Sequence, residues 1–571
     1  MLMMKTLGIL MKFQPRGLIG LSMLLIVLNG CGGGGSSSSS DNSSIDNSST
    51  DTGLVVNNST SGSFNGVATV SGIATYTNYS VSGSGIDYDS EQSRPIRGAV
   101  IKLLNATGTE LASGNTASDG SYSLSGNVDG AVRLLVQAEL GLAGSVNTRV
   151  VDNTSNNALY TLFADIDVDN SNVTQNINAG SGWSGASYTG TRSAGPFSIL
   201  DVIYQAQQLM LSVDNSVDFP LLTVNWSTLN SSADGNISDG DIGTSFYLDN
   251  NLYILGRANA DTDEYDKAVI AHEWGHYFED SLSRSDSVGG SHSQGDILHP
   301  SVAWSEGFAT ALASMILDNP LYIDTFGLGQ NVGDITNVEQ DSNTDSAIFN
   351  GGANPLLDGY YSETSVMELL YDLFDGGSSD DDSVALGFRP IYKVLTDEIR
   401  TTKSFISLFP FLHYIKLESP VNSAAINELF SNENINVVNA NEFDDPFDTA
   451  LPPIYTMVAA GATVTRDSNA ALLQTSDDYG FASSFGEGNK LLNQRFFKAT
   501  AAAAACYTIT AMPVASADLS LTFVDNININ SVSGGFAESR DINLTAGEIV
   551  TFNVGAFSNN ARFSVSFLAG C

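Results

Sequence analysis

Within the stretch 265–282, YDKAVIAHEWGHYFEDSL, stands the string His272-Glu273-Trp274-Gly275-His276. Val269, Ile270, Tyr277 and Phe278 recur at spacings of three, four and seven or eight, which predicts a helix with one buried stripe. On such a helix His272 and His276 share a face one turn apart, and their imidazoles can converge on one cation. Glu273 is turned about 100° from His272, so its carboxylate stands beside the cation, where it can take a proton from water. Two neutral nitrogen ligands, an activated water and a base are the parts of zinc-assisted hydrolysis. The chain has 5 histidines in 571 residues, so a chance H-E-x-x-H is expected on the order of 10⁻³ times. The bland alternative is a surface helix with idle histidines. Just upstream, Asp261 and Glu264 have the spacing of an N-cap and its capping-box partner.

A third ligand must come from elsewhere. Glu279 and Leu282 occupy the positions after His276 where a metzincin carries Gly and His, so that class fails. Downstream, Trp304-Ser305-Glu306-Gly307-Phe308-Ala309-Thr310 opens an apolar helical segment that runs to about Asp318 and stops before Pro320. A helix packed against the first would aim Glu306 at the two histidines. Here the chain resembles the gluzincin metallopeptidases, which pair HExxH with a glutamate on a following helix. The resemblance spans roughly residues 190 to 445, and its sharp part is His272, Glu273, His276 and Glu306. It implies a zincin-like domain, one Zn²⁺ per chain on His272, His276 and Glu306, and Glu273 as the general base on a protein or peptide substrate. Thr310 stands where some gluzincins carry an Asp that orients a histidine, which leaves that support open. His292, His299 and Asp296, in the Gly- and Ser-rich loop between the two helices, are rival ligands. Because gluzincins commonly use a Tyr or His to stabilise the oxyanion, Tyr361 and His292 are the catalytic candidates for that role. The resemblance also suggests Tyr253-Ile254-Leu255 as the strand along which an extended substrate lies.

The elements that position these residues belong to a larger, multidomain α+β chain. Its 63 acidic and 23 basic residues give a net charge of −40 and a pI near 4.1. That field disfavours nucleic acid and anionic membrane surfaces as partners. Residues 1–31 read as a targeting segment: Lys5, Lys12 and Arg16, then the short apolar run Leu18 to Leu28. It ends in Leu28-Asn29-Gly30-Cys31, which resembles a bacterial lipoprotein lipobox. The resemblance implies lipidation of Cys31 and membrane attachment through it. Gly32 in place of Asp points to an outer membrane lipoprotein facing the periplasm or the exterior. Residues 32–62 are Gly, Ser, Asn, Asp and Thr with almost no apolar side chains, the composition of a tether.

Two all-β sandwich domains are expected on either side of the catalytic one, whose small sheet and helices occupy 186–445. In residues 63–175, short Val/Ile/Thr/Tyr runs alternate with Gly, Asn and Ser turns. The run RPIRGAVIKLLNATGTELASGNTASDGSYSLSG resembles carboxypeptidase-regulatory-like domains. Residues 455–571 return to period-two alternation and resemble a pre-peptidase C-terminal β-sandwich around Ala517-Asp518-Leu519-Ser520-Leu521. Of 3 cysteines, Cys506 and Cys571 remain as a disulfide pair for an exported chain. Between the β regions, Pro196 to Val213, with Ser198 as N-cap, and 362–374, 384–399, 404–418 and 423–431 have helical spacing. The Asp234 to Asp241 loop has the flavour of a Ca²⁺ loop, but Asp239 and Ser245 stand where its glycine and bidentate glutamate belong. Calcium there is a minor alternative.

The sequence therefore predicts an exported, lipid-anchored zinc metallopeptidase. The competing reading is a non-catalytic cell-surface binding lipoprotein with a structural metal, which would need a fourth protein ligand.

Overall fold

The computed structural model of the chain describes residues 62–142, 145–287, 289, 292, 298–339, 359–376, 382–433, 435, 440–444, 454–467, 494–524, 528–529, 535–556 and 561–571. The targeting segment with Cys31, all of the tether but its last residue, and Asp296 lie outside them. Among the described residues, no helix is long and apolar enough to cross a membrane. The chain divides into two compact units, with the break in the described residues between Ile454 and Tyr455.

In the first unit, the long strand Asn65–Ser82 alternates as its sequence does: Ala68, Val70, Ala74 and Tyr76 are buried. It pairs antiparallel with Gly85–Pro95 and Ser121–Asp129, and in parallel with Asn172–Thr174 and Ile177–Ala179. A second, nine-stranded sheet has a main path running Phe246–Leu248, Asn251–Ile254, Leu222–Trp226, Ser145–Asp152, Ala131–Leu142, Ala99–Asn105 and Glu110–Asn115.

That order corrects the expected division between 175 and 186. Ser145–Asp152 pairs in parallel with Leu222–Trp226, from Leu222↔Thr148 to Asn225↔Val151. A parallel neighbour needs a long crossover, and the intervening chain with helix α1 (Ala194–Val213) supplies it. The N-terminal β region and the helical region thus share one sheet and one apolar core. Helix α1 begins at Ala194 after Ser193, and Ser198 lies buried inside it rather than capping it. The sheet also revises the substrate-strand expectation. Asn251–Ile254 is hydrogen-bonded on both sides, so among the described residues the outermost strand is Phe246–Leu248.

Helices α2 (Lys267–Leu282), α3 (Pro300–Leu317) and α4 (Glu363–Phe374) follow. Between α3 and α4 lies a hairpin of Leu321–Phe326 and Val332–Asn337. Helix α5 (Phe388–Lys393) runs into a wider π-turn, Val394–Ile399, and α6 (Leu408–Glu418) and α7 (Ser423–Asn432) close the unit.

The second unit is all β. One sheet runs Tyr455–Ala459, Gln494–Thr500, Ile549–Ala556, Leu519–Phe523, Asn528–Ile529; the other runs Thr463–Asp467, Arg562–Ala569, Ala505–Pro513, Glu538–Leu544. Phe497, Phe552, Phe563 and Phe567 are fully buried in its core. Cys506 and Cys571 are joined by a disulfide with a Cα–Cα distance of 5.8 Å.

Candidate metal centre

Helices α2 and α3 approach closely because two glycines sit beside the candidate ligands. A Cβ on Gly275 would stand 2.9 Å from the Ala309 Cα, and one on Gly307 would stand 2.5 Å from the Glu363 carbonyl oxygen of α4. Neither gap holds a side chain, so Gly275 sets the α2–α3 distance next to His276 and Gly307 sets the α3–α4 distance next to Glu306. Apolar packing holds the pair together. Phe278 of α2 lies 5.9 Å from Phe308 of α3, which stacks on Trp304. Val269, Ile270, Tyr277 and Phe278 are buried, as the stripe predicts.

On this frame three donor atoms converge. The Nε2 atoms of His272 and His276 are 3.1 Å apart, and Glu306 Oε2 lies 3.4 and 3.2 Å from them. Ligands bound at about 2.0–2.1 Å in a tetrahedron stand roughly 3.3 Å from one another, so these separations suit a zinc-sized ion. Glu306 is buried, and its carboxylate stands against the imidazoles of His272, His276 and His292. A buried carboxylate is costly unless a cation or a donor meets it. The N₂O donor set fits Zn²⁺. The charges point the same way. Burial pushes the His272 imidazole down to about 4, keeping the ring neutral as a ligand must be. Burial also acts to lower His276, but Glu306, Glu273 and Glu279 outweigh it and raise that ring to about 9. Glu306 itself is held well below its usual range, its burial overcome by His292 and His276.

The far nitrogens of both rings are also engaged. Thr310 Oγ1 meets His272 Nδ1 at 3.1 Å. Thr310, which stands where some gluzincins carry an Asp, thus meets the His272 ring through its hydroxyl. Ser305 Oγ meets His276 Nδ1 at 3.3 Å and donates to Glu279 Oε2 at 2.5 Å, and burial raises the Glu279 carboxyl to about 7. Such contacts fix tautomer and ring orientation. Ser305 and Glu279 were missed from sequence; their positions one residue before Glu306 and three after His276 were the available signal.

Glu273 is buried, and its carboxyl is pushed up to about 8, chiefly by burial. The Tyr247 backbone N–H, on the edge strand, draws it back slightly. His292 enters from the interhelical loop: Glu363 Oε2 meets its Nδ1 at 2.7 Å, and its Nε2 lies 3.4 Å from Glu306 Oε2. It stays outside the group whose donor atoms all lie within 4.8 Å of one another. His299 caps α3, its Nδ1 accepting from the Ser301 backbone N–H at 3.1 Å, and among the described residues it is outside the group of three. Tyr361 is buried against Tyr360, with ring centroids 5.4 Å apart. Tyr322 of the hairpin places its ring 6.1 Å from His272 and edge-on to it. Nothing local marked Tyr322, because the hairpin reaches the site only through the fold. The Asp261–Glu264 capping box is not formed: α2 starts at Lys267 after Asp266, and Glu264 pairs with Arg192 instead.

Comparison with known proteins gives one family. Residues 215–400 match the mycolysin C-terminal domain, which makes this a peptidase-related chain over about a third of its length. His272, Glu273, His276 and Glu306 all fall inside the matched range. No curated protein matches. Among solved structures, the chain is similar to the pre-peptidase C-terminal domain of a Bacillus anthracis collagenase at 10% identity, covering 20% of this chain and 96% of that one, with a TM-score of 0.14. A 9R-lipoxygenase from Cyanothece PCC8801 aligns at 9% identity over 27% of this chain and 25% of that one, with a TM-score of 0.11.

Proposed function

We propose that the first unit is a zinc metallopeptidase of the gluzincin type, with His272, His276 and Glu306 holding the ion. The observation that carries this reading is the buried Glu306 carboxylate at tetrahedral-edge distance from two imidazole nitrogens. Zinc bound there supplies Lewis-acid polarisation of a scissile carbonyl and makes water more acidic. Glu273 takes the proton of the attacking water at its carboxylate and returns it to the leaving amine. One carboxylate can serve both halves of that cycle, as base and then as acid. Tyr322 and His292 flank the cluster as hydrogen-bonding groups for the developing oxyanion. With its Nδ1 on Glu363, the His292 ring presents Nε2 as a donor only when protonated. The outer strand Phe246–Leu248, whose Tyr247 backbone N–H meets Glu273, is suited to pairing with an extended peptide.

A closed structural metal site needs a fourth protein donor, and among the described residues the group contains three. The binding-lipoprotein reading is the alternative, and the metal and cleavage measurements separate the two. Lipidation at Cys31 and attachment to the outer membrane complete the proposal, with the C-terminal β unit as an accessory module resembling pre-peptidase C-terminal domains. Metal analysis of the purified chain together with digestion of a mixed peptide library is the test. About one zinc per chain with chelator-sensitive cleavage is expected, and zinc without cleavage would sink the enzyme reading in favour of the binder.

A further inference from the structure

Immediately before α2, a second group of acids gathers. Asp261, Asp263, Asp266 and Asp324 each place a carboxylate oxygen within 4.8 Å of all the others. The first three lie on the turn leading into α2; Asp324 comes from the hairpin strand Leu321–Phe326. The turn and the strand are tied together by a bridge between Asp261 and Phe326 and by the Gly327 N–H donating to the Ala260 carbonyl at 2.8 Å.

Hydrogen bonding satisfies this group only in part. Asp266 accepts from the Thr325 N–H at 3.1 Å and from the Thr325 hydroxyl at 2.8 Å, and Asp263 Oδ2 accepts from Ser245. Asp263 is 3% exposed, and its carboxylate stands in hydrogen-bond contact with that of Asp261, acid against acid, a contact that needs a proton or a cation between the two oxygens. The Oδ1 atom of Asp324 is buried without a hydrogen-bond partner. Glu264, next in the chain to Asp263, shows the contrast: it is fully buried and neutralised by Arg192. Among the described residues, no Lys or Arg forms an ion pair with the four aspartates. Burial raises the proton affinity of all four carboxyls, Asp324 to about 8.

We propose that Asp261, Asp263, Asp266 and Asp324 form a calcium site that locks the hairpin and the edge strand onto the start of α2. An all-oxygen donor set selects a hard cation over zinc or copper. Oxygens on opposite sides of a calcium ion, at 2.3–2.6 Å each, stand up to about 5 Å apart, and calcium accepts irregular geometry where magnesium does not. The four acids come from two separate segments, and Ser245 adjoins the edge strand. Cation binding therefore closes a ring of elements around the proposed zinc centre: Asp324 shares its strand face with Tyr322, and Ser245 leads into Phe246–Leu248. The ion takes the place of the missing basic partner and satisfies the oxygens set against one another.

The inference does not depend on catalysis or on zinc, and its test is arranged accordingly. The full chain and its His272→Ala variant are stripped with chelator and titrated with calcium or magnesium, reading bound metal by equilibrium dialysis and Tm by thermal unfolding. Both proteins are expected to bind calcium with half-saturation on the order of 10⁻⁴–10⁻³ M or tighter. Their Tm should rise by several degrees, and magnesium should have a much smaller effect. Asp263→Asn and Asp324→Asn, which keep side-chain volume, are expected to weaken calcium at least tenfold. A wild-type Tm and bound-metal reading that do not respond up to about 10 mM calcium, far above that range, would overturn the site. So would an undiminished response in both Asn variants. Should those variants fail to fold, Asp261→Asn, at the partly exposed rim, is read in the same way.

Discussion

Two carboxylate-rich clusters lie at opposite ends of one short stretch, the turn into α2 and the helix itself, and they solve the problem of buried negative charge differently. Around Glu306 the acid meets imidazole nitrogens at 3.2 to 3.4 Å, and the rings are steered by Thr310 and Ser305. Around Asp263 the donors are oxygen alone, supported by Thr325 and Ser245. Nitrogen with oxygen in a tight triad suits a small Lewis acid; four spread carboxylates suit a larger, harder ion. Donor chemistry and donor spacing, more than total charge, separate a centre suited to catalysis from one suited to holding elements together.

The comparison can be broken most forcefully at the triad. His272→Ala or Glu306→Ala should abolish zinc retention and peptide cleavage together while leaving the calcium response intact; loss of both metals in a folded variant would merge the two sites into one. Glu273→Gln is expected to retain zinc and to lower kcat by about 10²–10⁴-fold, measured by metal analysis beside cleavage kinetics. Ser305→Ala and Thr310→Val should weaken zinc by about 10–100-fold, read by competition with a chromogenic chelator. Unchanged affinity would mean that the outer hydrogen bonds do not orient the rings. Gly275→Ala, which needs room that Ala309 does not leave, should cost about 1–3 kcal/mol of stability in denaturant unfolding.

The smallest expected effect is a slope with pH. In the chelator-stripped chain the folded-state pKa of Asp324 is raised to about 8, above its unfolded value near 3.9. The folded form therefore binds a proton that the unfolded form has released between those two values, and stability should fall as pH rises through that window. Added calcium should flatten the fall, because a bound ion replaces the proton. Urea midpoints measured across the window with and without calcium check this, and identical slopes would count against the aspartates as its source.

How much was legible in advance follows from the range over which each signal acts. Helical period alone put His272 and His276 on one face with Glu273 to the side, because 3.6 residues per turn is a local property of the chain. The period-two pattern of residues 63–175 and 455–571 likewise announced β structure. Local alternation cannot say which strands meet, however. The expected boundary between 175 and 186 disappeared when Ser145–Asp152 paired with Leu222–Trp226. The same limit explains the misread capping box. Asp261 and Glu264 have capping spacing, but the fold offers one a group of acids and the other Arg192.

The amino-acid sequence by itself determined the H-E-x-x-H geometry, the glutamate thirty residues on, and the alternation that makes each β region. Only the tertiary structure decided that Glu306 points at those histidines, that Glu363 orients His292, and that Asp324 joins three aspartates some sixty residues earlier in the chain. Periodicity assigns a side chain to a face of its own element. Which distant face it meets is settled by packing, here by the absence of side chains at Gly275 and Gly307 and by a sheet that crosses the expected boundary between domains.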